Sequence, residues 1–233
     1  DYWNVGESNQ HNQQLVFNYD LPINKIPVLS FVKSTYTYTG DYNWQRSSDA
    51  FSSVTGEDGN IYALGNSIQN ANSHKLNTTL NMDLFYKYIG LTKTKSNKKK
   101  PVSEKDKKVA PKPGEQVKAP KGNVTLERSA FMSGLIGVIT SVKNIQINYT
   151  ENNGTVLPGY LPGLGFFGSS KPTLGFVFGS QSDVRYEAAK NGWLTNYPEF
   201  NQNFTQVENK KISFTAQMEL FPDLKIDFTA DRT

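Results

Sequence analysis

The chain of 233 residues contains no cysteine. That excludes a disulfide framework, thiolate metal sites and cysteine nucleophiles, and it fits an envelope protein that avoids thiol chemistry. Histidine is nearly as scarce, with His11 and His74 the two residues of that type. Both sit in polar loop or strand-end settings with no acidic pair at ligand spacing, so they read as surface residues. Long apolar runs are missing too, since apolar residues make up 36% and mean hydropathy is -0.56. The longest run, Ala130 to Ile139, is broken by Ser133, Gly134 and Gly137 and has about half the length of a spanning helix. Any membrane crossing must therefore be made by strands, half of whose residues face water.

Catalytic motifs are equally thin. Gly163 to Gly168 matches G-x-G-x-x-G, but it follows Pro162 rather than a strand and runs into Ser-Ser-Lys-Pro rather than a helix. No helix N-terminus is then available for a pyrophosphate, and the glycines read as a loop with unusual backbone angles. Ser30 and Lys33 fit S-x-x-K, yet on a strand they face opposite sides and cannot act as nucleophile and base. Asp49, Glu57 and Asp58 could approach a calcium ion, but the EF-hand spacing is missing and a solvated turn accounts for them. Without a phosphate loop or nucleophile elbow, no catalytic role is expected, and no cofactor.

What the chain does have is alternation. Val28 to Gln45 carries Val28, Val32, Tyr36, Tyr38, Tyr42 and Trp44 on one parity. Lys33, Thr35, Thr37, Thr39, Asp41, Asn43 and Gln45 occupy the other. In a strand, alternate side chains point to opposite faces, so the segment has one apolar, aromatic-tipped face and one wet face. A membrane barrel strand and a long sandwich strand share that pattern. Similar alternation predicts strands over Gln14 to Asp20, His74 to Tyr88, Asn144 to Thr150, Lys211 to Leu220 and Lys225 to Asp231. Tyr42 and Trp44 then tip one end of an apolar face, and Leu80, Leu84, Tyr86 and Tyr88 run to the opposite end of its neighbour, where bilayer interfaces would lie.

Between these segments lie connections of three kinds. Leu21 to Pro27 and Phe221 to Leu224 are tight, proline-bearing reversals. Residues 46–73 and 151–205, rich in Gly, Ser, Asn and Pro, read as two long loops. Thr92 to Gly122 is dense in Lys and Pro with almost no bulky apolar residue, so disorder is expected there. It reads either as a polybasic tether for anionic lipid or a partner, or as a solvated linker. This block sets the net charge of +4 and pI near 9.0, so no nucleic-acid partner is expected. Val124 to Thr140 fits a helix or a buried strand, with its glycines and β-branched residues favouring strand. If the strands pair in sequence, the tight reversals and the Lys-rich segment share one side and both long loops the other, as in outer-membrane barrels.

Several segments together resemble the giant outer-membrane translocon of type IX protein secretion in Bacteroidota, the SprA/Sov family that also serves gliding motility. They are NYDLPINKIPVLSF (Asn18 to Phe31), YNW (Tyr42 to Trp44), GNSIQNAN (Gly65 to Asn72) and LFYKYIGL (Leu84 to Leu91). GTVLPGYLPG (Gly154 to Gly163), FGSQSDVRYEAAKNGWL (Phe178 to Leu194) and ELFPDLKIDFTA (Glu219 to Ala230) follow in order. Thr92 to Gly122 has no counterpart in the resemblance. The resemblance implies an all-β fold, with residues 1–233 a fragment of one very large antiparallel transmembrane β-barrel domain in the outer membrane. It implies a protein-conducting role and partners: the remaining strands of the barrel, a PorV-type shuttle barrel at a lateral gate, a periplasmic plug protein, secreted substrates and the lipid bilayer. The chain opens at Asp1 without a signal sequence, which reads as the interior of a longer protein or a processed product.

On that reading Lys33, Thr35, Thr37, Asp41, Lys75, Asn77 and Asp83 line the pore, and Tyr36, Tyr38, Tyr42 and Trp44 face lipid. Leu157, Pro158, Gly159, Tyr160, Pro162, Gly163, Phe166, Phe167, Gly168 and Trp193 would belong to an extracellular cap or gate. Two rivals share the strand pattern: a secreted polysaccharide-binding β-sandwich with a closed core, and a smaller outer-membrane porin or transporter.

Overall fold

The computed structural model describes residues 8–92, 130–165, 168–221 and 223–233. Nearly all of the Lys/Pro segment, together with Phe166, Phe167 and Pro222, lies outside the described residues. Six long strands form one antiparallel sheet: β1 (Gln10–Leu21), β2 (Val32–Gln45), β5 (Asn66–Asn81), β6 (Val142–Tyr160), β7 (Thr205–Phe221) and β8 (Leu224–Arg232), neighbours in that order. A small separate hairpin, β3 (Ser53–Thr55) and β4 (Ile61–Ala63), sits in the β2–β5 connection. Among the described residues no helix is long and apolar enough to cross a membrane.

Because every pair is antiparallel and sequential, the connections sort onto two ends. The β1–β2, β5–β6 and β7–β8 links share one, and the long β2–β5 and β6–β7 links share the other, as the parity argument expects. At the first end, prolines set the β1–β2 reversal, which is two 3-10 turns, Pro22–Lys25 and Pro27–Leu29. Val28 therefore belongs to a turn, and the strand expected from Val28 begins at Val32; Ser30 is off the strand too.

Three other expectations change. Residues 66–73, read as loop, open the 16-residue strand β5. Their Asn-rich composition looks like a loop, but Asn70 and Asn72 are buried at 3% and 7% exposure with bonded amides, which makes them tolerable inside. Strand does not continue to Tyr88. Asn81 accepts from the Leu84 N–H at 3.1 Å and starts the helix α1 (Met82–Tyr88). Its Met82, Leu84, Tyr86 and Tyr88 alternate by two, but Met82–Tyr86 and Leu84–Tyr88 are also helical neighbours four apart, and Phe85 was the break in alternation that betrayed it. Finally, Ala130–Thr140 is the helix α2 and not a strand, with Thr140 Oγ1 donating back to Ile136 O at 2.8 Å. The Tyr86 hydroxyl joins the two helices by donating to Ile139 O at 2.6 Å.

Register makes each face of the sheet continuous. One face reads Asp20, Thr35, Asn77, Asn148, Ser213 and Asp231 along one row, and Asn18, Thr37, Lys75, Thr150 and Lys211 along the next. The opposite face reads Tyr19, Tyr36, Leu76, Tyr149, Ile212 and Arg232 across all six strands. Below that row come Leu21, Ser34, Thr78, Ile147, Phe214 and Ala230, and then Val32, Leu80, Ile145, Ala216 and Phe228. The two hydroxyls in this apolar field, Ser34 and Thr78, bond each other at 2.9 Å, so neither needs water.

Candidate functional site

Two surfaces carry the sequence's candidate residues, and both follow from strand parity. On the wet face, Lys33, Thr35, Thr37, Asp41, Lys75 and Asn77 lie together, with Thr35 paired to Asn77 and Thr37 to Lys75. Side chains bond across strands there: Gln14 donates to Asp41 at 2.7 Å, Thr35 to Asp20 at 2.8 Å and Thr37 to Asn18 at 2.8 Å. Towards the long-loop end, small residues at Ala71 and Gly154 leave a hollow of about 620 Å³ rimmed by Asn12, Gln14, Asn43 and Gln69. Asp83 does not join this wall. It sits on α1 and pairs with Lys143 at 3.3 Å.

The opposite face divides in two. Its lower part is an apolar belt left open: Phe17, Tyr19, Ile212, Ile226 and Phe228 are 53%, 47%, 45%, 39% and 55% exposed. From Ile212 to Phe221 the belt covers about 30 Å along β7, or about 23 Å of height at a typical barrel tilt. Tyr36, Tyr38 and Leu80 belong to it. Its upper border is the row Phe17, Tyr38 and His74, one pair above Tyr19, Tyr36, Leu76 and Tyr149, and the Tyr36 hydroxyl meets His74 Nδ1 there at 2.7 Å.

The upper part of the same face is roofed by residues 161–165 and 168–204. Tyr42, Trp44, Ile68, Leu157 and Tyr160 from the strands are buried against Phe176, Val177, Val184 and Ala188 of the roof. Phe176 and Val177 come from the short helix α3 (Leu174–Val177), Ala188 from α4 (Arg185–Lys190), and Val184 is the residue that caps α4. Tyr42 and Trp44 thus face protein and not lipid; Trp44 Nε1 donates to Pro162 O at 3.2 Å and Tyr42 meets Phe176 edge-on at 6.2 Å. The expected girdle at Tyr86 and Tyr88 is likewise replaced. Tyr86 is buried under α2, while Leu84 and Tyr88 are exposed on α1.

Amide side chains lock the roof to the sheet. Asn70 Nδ2 donates to Phe176 O and Ser180 O at 3.0 and 2.7 Å, and Asn72 Nδ2 to Gly179 O at 2.7 Å. Gln181 answers by donating to Asn70 Oδ1 at 3.1 Å and accepting from the Thr155 hydroxyl at 2.7 Å. Gly40 gives the room for this: a β-carbon there would lie 2.3 Å from Phe178 O. Loop residues 151–160, expected in a long connection, are the end of β6, so Leu157, Pro158, Gly159 and Tyr160 are buried wall. Pro162, Gly168 and Trp193 do lie in the roof, Trp193 packing edge-on to Tyr160 at 6.5 Å; Gly163 is exposed. Gly165 and Gly168 bond each other's backbone and no helix starts from them, the next being α3 at Leu174, so the G-x-G-x-x-G match lacks the helix N-terminus a phosphate site uses.

Sequence reasoning missed Phe176, Val177, Val184 and Ala188, although Val184 and Ala188 stand four apart as one helix face requires. The histidines, expected at the surface, are half-buried: His74 as above, and His11 against the Gly168 backbone. Asp58 accepts from Tyr62 and Asn60, contacts that lower its pKa, Tyr62 foremost. Among the described residues no three acidic or histidine side chains group as a metal ion needs. In the roof, Arg185 grips Asp183 with Nε and Nη2 at 3.0 and 2.7 Å and lies 4.4 Å over Phe204. Its guanidinium and its backbone N–H hold the Asp183 carboxyl down from the ordinary 3.8 to about 2. Compared with known proteins, the chain matches no family model, and no curated protein matches it.

Asn70→Ala removes the two bonds its amide donates to Phe176 O and Ser180 O and one of the two that the Gln181 amide donates, at a cost of about 1–3 kcal/mol. Hydrogen exchange of residues 176–181 should accelerate about 10- to 100-fold while β5 and β6 below the roof keep their protection. A second measurement follows from Asp183. Its folded pKa is depressed, so its contribution is complete above pH ~4 and is lost as pH falls through about 2. Roof exchange should be flat from neutral pH to about 5 and accelerate below 4, beyond the intrinsic pH trend, and Asp183→Asn should remove that extra acceleration.

Proposed function

We propose that this chain is part of the wall of an outer-membrane β-barrel that conducts proteins, a segment of a type IX translocon. The observation that carries the wall is a single antiparallel layer with a continuous wet face and, opposite it, an open apolar belt about as tall as a bilayer's apolar band. In water such a belt would be a large aggregation surface. Against lipid it is satisfied, and the internal Ser34–Thr78 bond is the kind of pairing hydrocarbon demands.

The polysaccharide-binding sandwich requires a second sheet over the apolar face. Among the described residues the remaining sheet is the three-residue hairpin β3–β4, which is too small to cover the belt. Six strands also leave two edges, and β1, QHNQQLVFNYDL, carries none of the Lys, Pro or Gly that blunt a natural edge. Further strands beside it satisfy that edge. Protein conduction, beyond mere spanning, rests on the sequence resemblance together with a wet face of neutral amides, hydroxyls and charges of both signs. No catalytic group is needed: a hydrated wall lowers friction for the passing chain, and the roofed end rises above the bilayer's apolar band. A PorV-type shuttle and a periplasmic plug are the partners this reading brings with it.

The absence of cysteine makes the test direct. In isolated outer membranes, Thr37→Cys, Lys75→Cys and Asn148→Cys should react with a membrane-impermeant maleimide at least about tenfold faster than Ile147→Cys and Phe214→Cys. Equal labelling of both parities would rule out the membrane wall. A photo-crosslinker at Lys75 should capture an exported protein; parity-selective labelling without capture would point to the porin.

A further inference from the structure

The segment Thr173-Leu174-Gly175-Phe176-Val177-Phe178-Gly179 has no charged residue and is apolar around its whole circumference from Leu174 to Phe178. The helix α3 buries Phe176 and Val177 at 0% and 2% exposure beneath the roof. It holds Leu174 and the capping residue Phe178 outward, at 63% and 40%. A helix facing water on its outer side carries polar residues there, and a helix apolar all round is normally covered. The two outward residues are four apart and so share one stripe.

The position of this stripe says what covers it. The Tyr38 hydroxyl donates to Phe178 O at 2.7 Å, and the same carbonyl rests on Gly40. Tyr38 pairs with Phe17 and Gly40 with Leu15, both on the apolar face of β1 and 53% and 41% exposed. Phe178 therefore stands at the upper border of the belt, one pair above the row Tyr19, Tyr36 and Tyr149. At β1 and β2 the roof's lower rim adjoins the belt with Tyr38 at the seam, and the same row continues as His74, Glu151 and Lys210 across the next three strands, polar and aromatic groups of the kind a bilayer interface accepts.

Resting on the membrane-wall reading, we propose that Leu174 and Phe178 form a foot by which the roof is seated in the outer leaflet, with the bilayer itself as the occupant of this surface. The foot enters only as far as the headgroup and upper acyl region, as interfacial apolar groups do. It ties the roof to the membrane plane in addition to the amide lock on the sheet. Two independent attachments then hold the extracellular end of this wall segment.

Single-cysteine variants of the full-length protein carrying a nitroxide, reconstituted in phosphatidylethanolamine/phosphatidylglycerol liposomes, test this. The ratio of collision rates with oxygen and with a water-soluble nickel chelate reports depth. Leu76→Cys serves as the belt reference, and Ile61→Cys, 76% exposed on the distal hairpin, as the water reference. Leu174→Cys and Phe178→Cys should give ratios about threefold or more above Ile61→Cys and below Leu76→Cys, since interfacial groups sit about 5–10 Å into the boundary. Both sites are exposed, so the label does not disturb the roof core. Ratios equal to that of Ile61→Cys, with Leu76→Cys still deep, would overturn the foot and leave the wall intact. A Leu76→Cys ratio equal to that of Ile61→Cys would overturn the wall reading, and the foot with it.

Discussion

The fold depends on one constraint: once a strand is paired on both sides, its residues have two places to go, and the sheet's register hands each assignment to the next strand. Here the register holds over six strands with slips confined to strand ends, at Asn66/Ile68, Val142/Asn144 and Glu219/Phe221. A shift of one residue anywhere between would put Lys75, Asn148 or Thr215 among Leu76, Ile147 and Phe214. The wet and apolar faces of this sheet are therefore kept apart by backbone hydrogen bonds before any side chain packs.

What side chains add is a division along the strand. The lower stretch of the apolar face carries Leu, Ile and Phe and is left open; the upper stretch carries Tyr42, Asn70, Asn72, Thr155 and Gly40 and is roofed. The change of chemistry sits near Tyr38 and His74. Below it, a polar amide would have no partner; above it, the amides of Asn70 and Asn72 are what hold the roof. Without Gly40 the roof backbone could not come close enough for those amides to reach their carbonyls. One face of one sheet is thus built for two neighbours, and the boundary between them is a matter of a single pair of residues per strand.

Alternation was legible because strands obey it simply. Lys33 to Asp41 against Tyr36 to Trp44 placed both faces of β2, and with them the side on which each long loop falls. Period two failed where two structures share it. Leu84, Tyr86 and Tyr88 alternate, yet the Asn81 cap turns them into a helix; Asn66 to Ser73 do not look like a strand, yet partners across 106 to 110 residues make their amides welcome inside. A cap bond is local and could have been read from Asn81 and Asp83. The amide lock is not local, and nothing near Asn70 in the sequence announces Phe176 or Gln181. For the same reason the aromatics Tyr42 and Trp44 were assigned the right face and the wrong neighbour.

Strand length then acquires a reason. A tilted crossing needs about 9–11 residues. β5, β6 and β7 have 16, 19 and 17. The surplus lies at the roofed end, where Ile68, Leu157 and Tyr160 are core and no lipid contact is possible. Had the roof been a flexible loop over a short strand, its apolar residues Phe176, Val177 and Val184 would have had no rigid surface to bury against. Extending the strands past the belt supplies that surface, and on the proposed membrane-wall reading the open belt below is about as tall as a bilayer's apolar band.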